Sequence, residues 1–453
     1  MKKSLIFLLI LFSALNFSLF CQQVWLKSYA GSSDTVFNSF TFTKDGGTIL
    51  TGHTNGSNSS PTCEDGETQS DLLLVKLNSN GEIEWQKTYG VSGNEVGYTV
   101  IESTAGGYLA VGETTSFGAS SNDAFVLRVD ESGALIWAKI IGGSSEDWAV
   151  DVKETDKGDY IVLGVTTKTG GSESTTQNYD IFLVGVDDLG KVSWEKVYDG
   201  GKNDVAYSLL KTSEGDFVIG GATTSKGDGD YDALLIKTDA GGVIKWQKIF
   251  GTGNNDYCYY VTESKDGGFL LVGETFLRKD GFSNAFVARI NSFGGDEWQK
   301  SYGFAKNNFA FSAKPLGNHG FIIGGGGKDS NSNFSAWTFK IDWSGRIIWK
   351  TGYDFSGNET VYCAKPTKDG FLATLGVVNS GEKIYPFLSK SDKTGQVDSC
   401  SYLTETSITK KKGSFGSANI SFSLTNSSLT VTDVLPEQLK IGQSDLSEET
   451  LCE

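Results

Sequence analysis

Seven tryptophans, Trp25, Trp85, Trp137, Trp194, Trp246, Trp298 and Trp349, recur along the 453 residues at separations of 51 to 60. Each sits in a short phrase of strand character, such as the five residues from Trp25 to Tyr29, from Trp85 to Tyr89 and from Trp246 to Phe250. A unit of this length built from strands cannot bury its apolar face alone. Stacked radially, one unit per blade, such repeats form a β-propeller.

Residues 142–194 display the unit. A polar loop ends at Asp147, and a strand follows from Trp148 to Thr155. A turn at Lys157 to Asp159 leads to a second strand, Tyr160 to Gly164, and a variable loop ends at Asp180. A third strand, Ile181 to Val186, and a turn at Asp188 to Gly190 precede the fourth strand, which carries Trp194. Four short strands joined by Gly/Asp/Asn turns are one blade. The phrases Asp45-Gly46-Gly47, Asp266-Gly267-Gly268 and Asp369-Gly370 recur at the first turn, where the left-handed backbone favours glycine. Proline would remove ladder donors, and the chain holds 57 glycines against five prolines.

The first strand of each unit carries an acid or amide, a small residue two positions on, and then usually an aromatic. The series is Asp34/Val36/Phe37, Glu95/Gly97/Tyr98, Asp147/Ala149/Val150, Asp204/Ala206/Tyr207, Asp256/Cys258/Tyr259, Asn308/Ala310/Phe311 and Glu359/Val361/Tyr362. It is expected to be the innermost strand, with the small residues beside the axis. Inner strands and Trp strands both number seven, but out of phase. The chain opens on a Trp strand, Val24 to Ala30, and closes on three strands between Val361 and Lys390 with no fourth. The predicted fold is therefore all-β: a seven-bladed propeller over residues 22–399, closed by the N-terminal strand, plus a small C-terminal β segment.

Residues 1–21 read as a signal peptide, with Lys2 and Lys3 ahead of an apolar stretch from Ser4 to Phe20. Cleavage after Cys21 is expected. The competing reading lipidates Cys21, with Phe20 before it where a small residue is the norm. No later segment is long and apolar enough for a membrane span. The net charge of −16 and pI near 4.7 argue against nucleic acid or anionic membrane as partner. Five cysteines follow Cys21, and only Cys400 with Cys452 brackets a segment, so a disulfide is expected there.

The phrase before each Trp resembles the docking motif of pyrroloquinoline-quinone-type propeller repeats. It is carried by Val129-Asp130 with Gly133 and Trp137, by Val186-Asp187 with Gly190 and Trp194, and by Ile341-Asp342 with Gly345 and Trp349. The whole unit is similar to the secreted repeats of Bacteroidetes-type surface proteins. The resemblance implies a propeller over residues 24–399; such repeats host cofactor enzymes, assembly scaffolds and surface proteins alike, so it names no activity.

Residues 400–453 leave the repeat. Ile420, Phe422 and Leu424, then Leu429, Val431 and Val434, read as a β-hairpin with one apolar face, packed on the propeller rim or on a partner. Lys410, Lys411 and Lys412 read as a solvated turn.

Two histidines, His53 and His319, lie outside any nucleophile phrase. His53 shares a repeat slot with Glu113, Val165, Ala222 and Glu274. Asp228, Asp230 and Asp232 superficially resemble a calcium loop, but Ala233 stands where an EF-hand needs glycine. No cofactor is expected otherwise. The loops Thr54–Ser70, Thr114–Asn122, Thr166–Tyr179, Thr223–Tyr231 and Thr275–Ser283 vary most and share one face with the acids Asp34, Glu95, Asp147, Asp204, Asp256 and Glu359. These six are the expected binding residues, presented to a glycan, a cation or a protein by a secreted, non-enzymatic scaffold. The alternative is a secreted carbohydrate-active hydrolase or lyase using carboxylates of that face, Glu113 or Glu274 among them.

Overall fold

The computed structural model describes residues 24–397 and seven strands between Leu403 and Cys452; segments 31–32, 56–68, 91–92, 118–121, 144–145, 170–176, 228–229, 277–281, 304–305, 329–333, 356 and 382 fall outside the description. Seven sheets form, each beginning with four antiparallel strands. Blade 1 runs from Thr35 to Gly90, blade 2 from Glu95 to Gly142, blade 3 from Asp147 to Asp199 and blade 4 from Asp204 to Gly251. Blade 5 spans Asp256 to Gly303 and blade 6 Lys306 to Tyr353. Blade 7 takes Asn358–Pro366, Leu372–Asn379 and Ile384–Ser391 from the end of the repeat and Trp25–Ala30 from its beginning. The register Trp25↔Lys390 to Ser28↔Phe387 closes the ring as the phase mismatch predicts.

The tryptophan repeat is the joint between blades. Trp85 Nε1 donates to the Glu131 carbonyl, Trp137 to that of Asp188 and Trp298 to that of Trp343, each in the third turn of the next blade. Four residues on, Tyr29, Tyr89, Tyr198 and Tyr302 donate their hydroxyls to the carbonyls of Gly81, Gly133, Gly242 and Gly345 in the same turns. Those glycines have positive φ, and the indole ring lies over the bare Cα of several of them: a Cβ built on Gly81 would sit 2.7 Å from Trp25, and one on Gly133 3.0 Å from Trp85.

The C-terminal segment differs from expectation. It forms no hairpin, because Ser423–Thr425 pairs with the outer strand of blade 3 and Thr430–Val434 with that of blade 2. Leu403–Thr404 lies on blade 6, Thr409–Lys411 on blade 5, Gly416–Asn419 on blade 4, Lys440–Gly442 on blade 1 and Ser447–Cys452 on blade 7. The segment is a belt that visits the blades in reverse order and adds a fifth strand to every one. Lys410 and Lys411, expected in a turn, pair with Tyr302 and Ser301. A propeller of four-stranded blades leaves seven outer edges with unpaired ladder groups, and the belt covers them. Cys452 ends it beside Leu26; Cys400, its expected disulfide partner, lies outside the described residues.

The inner strands correct a second expectation. In all seven blades the ladder between inner and second strand shifts register at the same point, after the small residue in blades 2 to 7, as between Ala149 and Asp151 or Cys258 and Tyr260, and after Phe37 in blade 1. This β-bulge inserts one unpaired residue and re-aims its neighbours. The small residues Ala149, Ala206, Cys258 and Ala310 are fully buried between blades, whereas the residues that follow them, Val150, Tyr207, Tyr259 and Phe311, are half-buried and face the axis. In blade 1 the register places Thr35, not Asp34, opposite Thr54, where Glu95 stands opposite Thr114. The bulge residue there is Asn38.

Candidate functional site

The axis is a channel with a cavity of about 700 Å³, lined in three tiers by the inner strands. The upper tier is the bulge residue of each blade: Asn38, Tyr98, Val150, Tyr207, Tyr259, Phe311 and Tyr362. Across blades 4 to 7 its rings form one arc, with centroids 5.1 Å apart for Tyr207–Tyr259, 5.2 Å for Tyr259–Phe311 and 5.8 Å for Phe311–Tyr362. Tyr257 stacks on Tyr259 at 5.7 Å, and Trp148 adds an indole to the lining on the blade 3 side. The middle tier is small and polar, with Ser39, Thr99, Asp151, Ser208 and Ser312 beside Tyr260 and Cys363. The lower tier brings Lys153, Lys314 and Lys365 together with Thr41 and Ile101.

The slot holding His53, Glu113 and Glu274 is opposite the second residue of the inner strand, at the upper end of the channel. Glu113 bonds to Tyr98 and accepts from Asn122 Nδ2 at 3.4 Å, and burial raises its pKa. Tyr259 donates to Glu274 Oε2 at 2.9 Å, and burial again raises the carboxyl pKa against that bond. Burial lowers the pKa of His53, whose Nδ1 has no hydrogen-bond partner.

The expected binding acids are elsewhere. The side chains of Glu95, Asp147, Asp204, Asp256 and Glu359 are essentially excluded from solvent. Glu95 accepts from Thr114 and Ser116; Asp204 from Thr223, Ser225 and the Gly200 amide; Asp256 from the Thr252 amide and hydroxyl. Asp147 takes the Gly143 amide, and Glu359 the amides of Phe355 and Gly357. Asp147, Asp204, Asp256 and Glu359 each close the loop that leads into their own strand, the geometry of a turn cap, and Glu95 ties its strand to the end of the next. Asp34 belongs to another recurring position: it accepts the Ile384 amide of blade 7, as Asn94, Asn203, Asn255, Asn307 and Asn358 accept amides of the blades before them.

Burial sets the titration of Asp204 and Asp256. Desolvation lifts Asp204 to about 7 against its hydrogen bonds, with repulsion from Asp180 added. Asp256 rises to about 6 and Asp123 to about 6, the latter also through Asp147. A carboxyl whose pKa is higher folded than unfolded stabilises the fold fully below the unfolded value and loses that contribution as pH rises through the folded value. His53, held neutral, acts oppositely, and it is one group against several. The thermal midpoint is therefore expected to be higher at pH 5 than at pH 8, and Asp204→Asn should flatten the difference. A midpoint that rises steadily from pH 5 to 8 would contradict this. Asp45 and Asp342, held near 2 by hydrogen bonds that outweigh burial, lose their contribution only well below pH 4.

The expected calcium loop is described only in part. Asp228 lies outside the described residues, Asp230 is exposed, and Asp232 is buried facing Gly251. Among the described residues the carboxylates of Asp180, Asp199 and Asp204 do converge, with one oxygen of each within 4.8 Å of the others. The oxygens of Asp204 are already taken by the Thr223 and Ser225 hydroxyls and the Gly200 amide.

No known family profile and no curated protein matches this chain. Among solved structures it is similar to a mannose phosphorylase from Leishmania mexicana in complex with phosphate ion. The identity is 8%, the TM-score 0.30, and the match covers 80% of this chain and 84% of that one. A likeness this distant carries no argument about activity.

Proposed function

We propose that this chain is an exported, non-enzymatic binding propeller that holds a glycan in its axial channel. The observation that carries it is the half-exposed arc Tyr207–Tyr259–Phe311–Tyr362 along a cavity of about 700 Å³. Aromatic faces offer a large, rigid contact area at small entropic cost, and a pocket of this size suits a ligand of a few sugar rings. The acids first expected to meet the ligand are committed to turns, so the exposed chemistry of the scaffold is the channel wall. Lys2, Lys3 and the apolar stretch behind them support export, as does the similarity of the repeat to secreted bacterial surface repeats.

The hydrolase reading is favoured by one arrangement: Glu113 and Glu274 depart from the repeat, are raised in pKa by burial and bond to upper-tier tyrosines. A raised carboxyl is what a general acid needs. A glycan array followed by calorimetry separates the two. The double variant Tyr207→Ala/Phe311→Ala is expected to weaken glycan binding at least about tenfold, roughly the loss of two stacking contacts, with little change in circular dichroism. Release of reducing ends that disappears in Glu113→Gln would instead make the chain an enzyme.

A further inference from the structure

We infer that the glycan this channel selects is anionic, its carboxylate or sulfate oxygens being taken by Lys153, Lys314 and Lys365; this rests on the glycan reading above. The three lysines occupy the same position in blades 3, 6 and 7, six residues after Asp147, Asn308 and Glu359 of the respective inner strands. Blades 6 and 7 are neighbours and blade 3 lies across the ring, so the cations approach the channel from two sides. The other four blades place Thr41, Ile101, Leu210 and Thr262 there, none of them acidic.

The carboxylate that lines this end is Asp151, and it is already engaged. Its Oδ2 accepts the Leu209 amide at 2.7 Å and its Oδ1 the Lys153 ammonium. Lys314 and Lys365 have no carboxylate partner among the described residues. Lys314 Nζ lies over the Tyr260 ring at 5.0 Å, and Lys365 Nζ lies over Phe40 at 4.4 Å while donating to its carbonyl. Desolvation pulls the pKa of Lys314 down, opposed by the nearby Asp151 and Cys363. A half-buried ammonium with no direct ion pair of its own carries a desolvation cost that a bound anion relieves. The site is cationic inside a chain of net charge −16. That contrast discriminates between ligands, because the outer surface repels anions that the channel does not hold.

A small inorganic anion would leave most of the cavity and the whole aromatic arc unused. A sugar chain bearing acidic groups meets both ends: ring faces on the upper tier, hydroxyls along Ser39, Thr99, Ser208 and Ser312, and charged oxygens at the lysines.

Calorimetry with the full chain tests this using three probes: a galacturonic acid trisaccharide, a sulfated chondroitin tetrasaccharide and a neutral galactan trisaccharide. At least one anionic probe is expected to bind about tenfold or more tightly than the neutral one, the scale of a charged hydrogen bond. The preference should shrink with added salt and disappear in Lys314→Met/Lys365→Met, which keeps the apolar stems over Tyr260 and Phe40. The anionic probe that prevails identifies carboxylate or sulfate as the recognised group. Equal binding of neutral and anionic probes, unchanged by the lysine substitutions or by salt, overturns the anionic inference and leaves the glycan reading standing. Binding of none of the three overturns both. Sulfate ion alone matching the best probe overturns the sugar class.

Discussion

A chain lacking residues 24–30 will aggregate instead of forming a smaller stable ring. Those residues are the fourth strand of blade 7, paired to Ile384–Ser391 on one side and to Ser447–Cys452 on the other. Leu26 and Tyr29 are fully buried and Trp25 nearly so. Truncating any one buried side chain of this size costs about 2–5 kcal/mol, so losing three approaches the whole stability of a typical domain, roughly 5–15 kcal/mol. The loss also removes the joint to blade 1, where Tyr29 donates to the Gly81 carbonyl at 2.8 Å. The ring then opens at one seam and exposes two strand edges, which recruit other chains. Size exclusion with light scattering, beside thermal unfolding, reads the result. A monomer with an unchanged midpoint would show that closure contributes nothing.

Gly81→Ala is expected to destabilise the ring by about 3 kcal/mol, the sum of backbone strain and overpacking. Gly81 has φ of 76°, which an L side chain adopts only at a cost. A Cβ there would lie 2.7 Å from the Trp25 ring, so the indole must move. Gly158 supplies the control: its φ is 89°, and a Cβ would meet nothing within 4 Å. Gly158→Ala carries the backbone term alone, about 1 kcal/mol. The difference between the two thermal midpoints therefore measures how much the indole contact contributes at the seam between blades 7 and 1. Equal shifts would refute a role for the tryptophan repeat as the joint between blades.

Blade number, strand order and closure were all legible in the sequence, because each rests on a repeated local pattern and on the phase between two such patterns. Side-chain direction within the inner strand was not. Strict alternation sends the small residue toward the axis, and one bulge per blade reverses that, placing Ala206 between blades and Tyr207 on the channel. A bulge adds a residue without leaving a mark in composition. Blade 1 was misaligned by one residue for a related reason. Asp34 looks like the acid of Glu95, but the chain uses a hydroxyl pair there, Thr35 with Thr54 at 3.0 Å. The belt was hidden because alternating apolar and polar residues look the same whether a strand pairs with its neighbour in sequence or with a distant edge. The lysine tier was invisible too. Lys153, Lys314 and Lys365 are ordinary lysines one at a time, and only the register of three inner strands brings them to one depth.

Blade 7 holds both ends of the described chain, since Ser447–Cys452 lies directly on Trp25–Ala30. They are the fourth and fifth strands of that blade, at the rim of the disc and far from the axis. Any attachment made through either end, whether a lipid, a crosslink or a fused protein, therefore grips the ring by its edge at a single point. An attachment held close at that point leaves the axial channel and the loops around it clear on the faces of the disc.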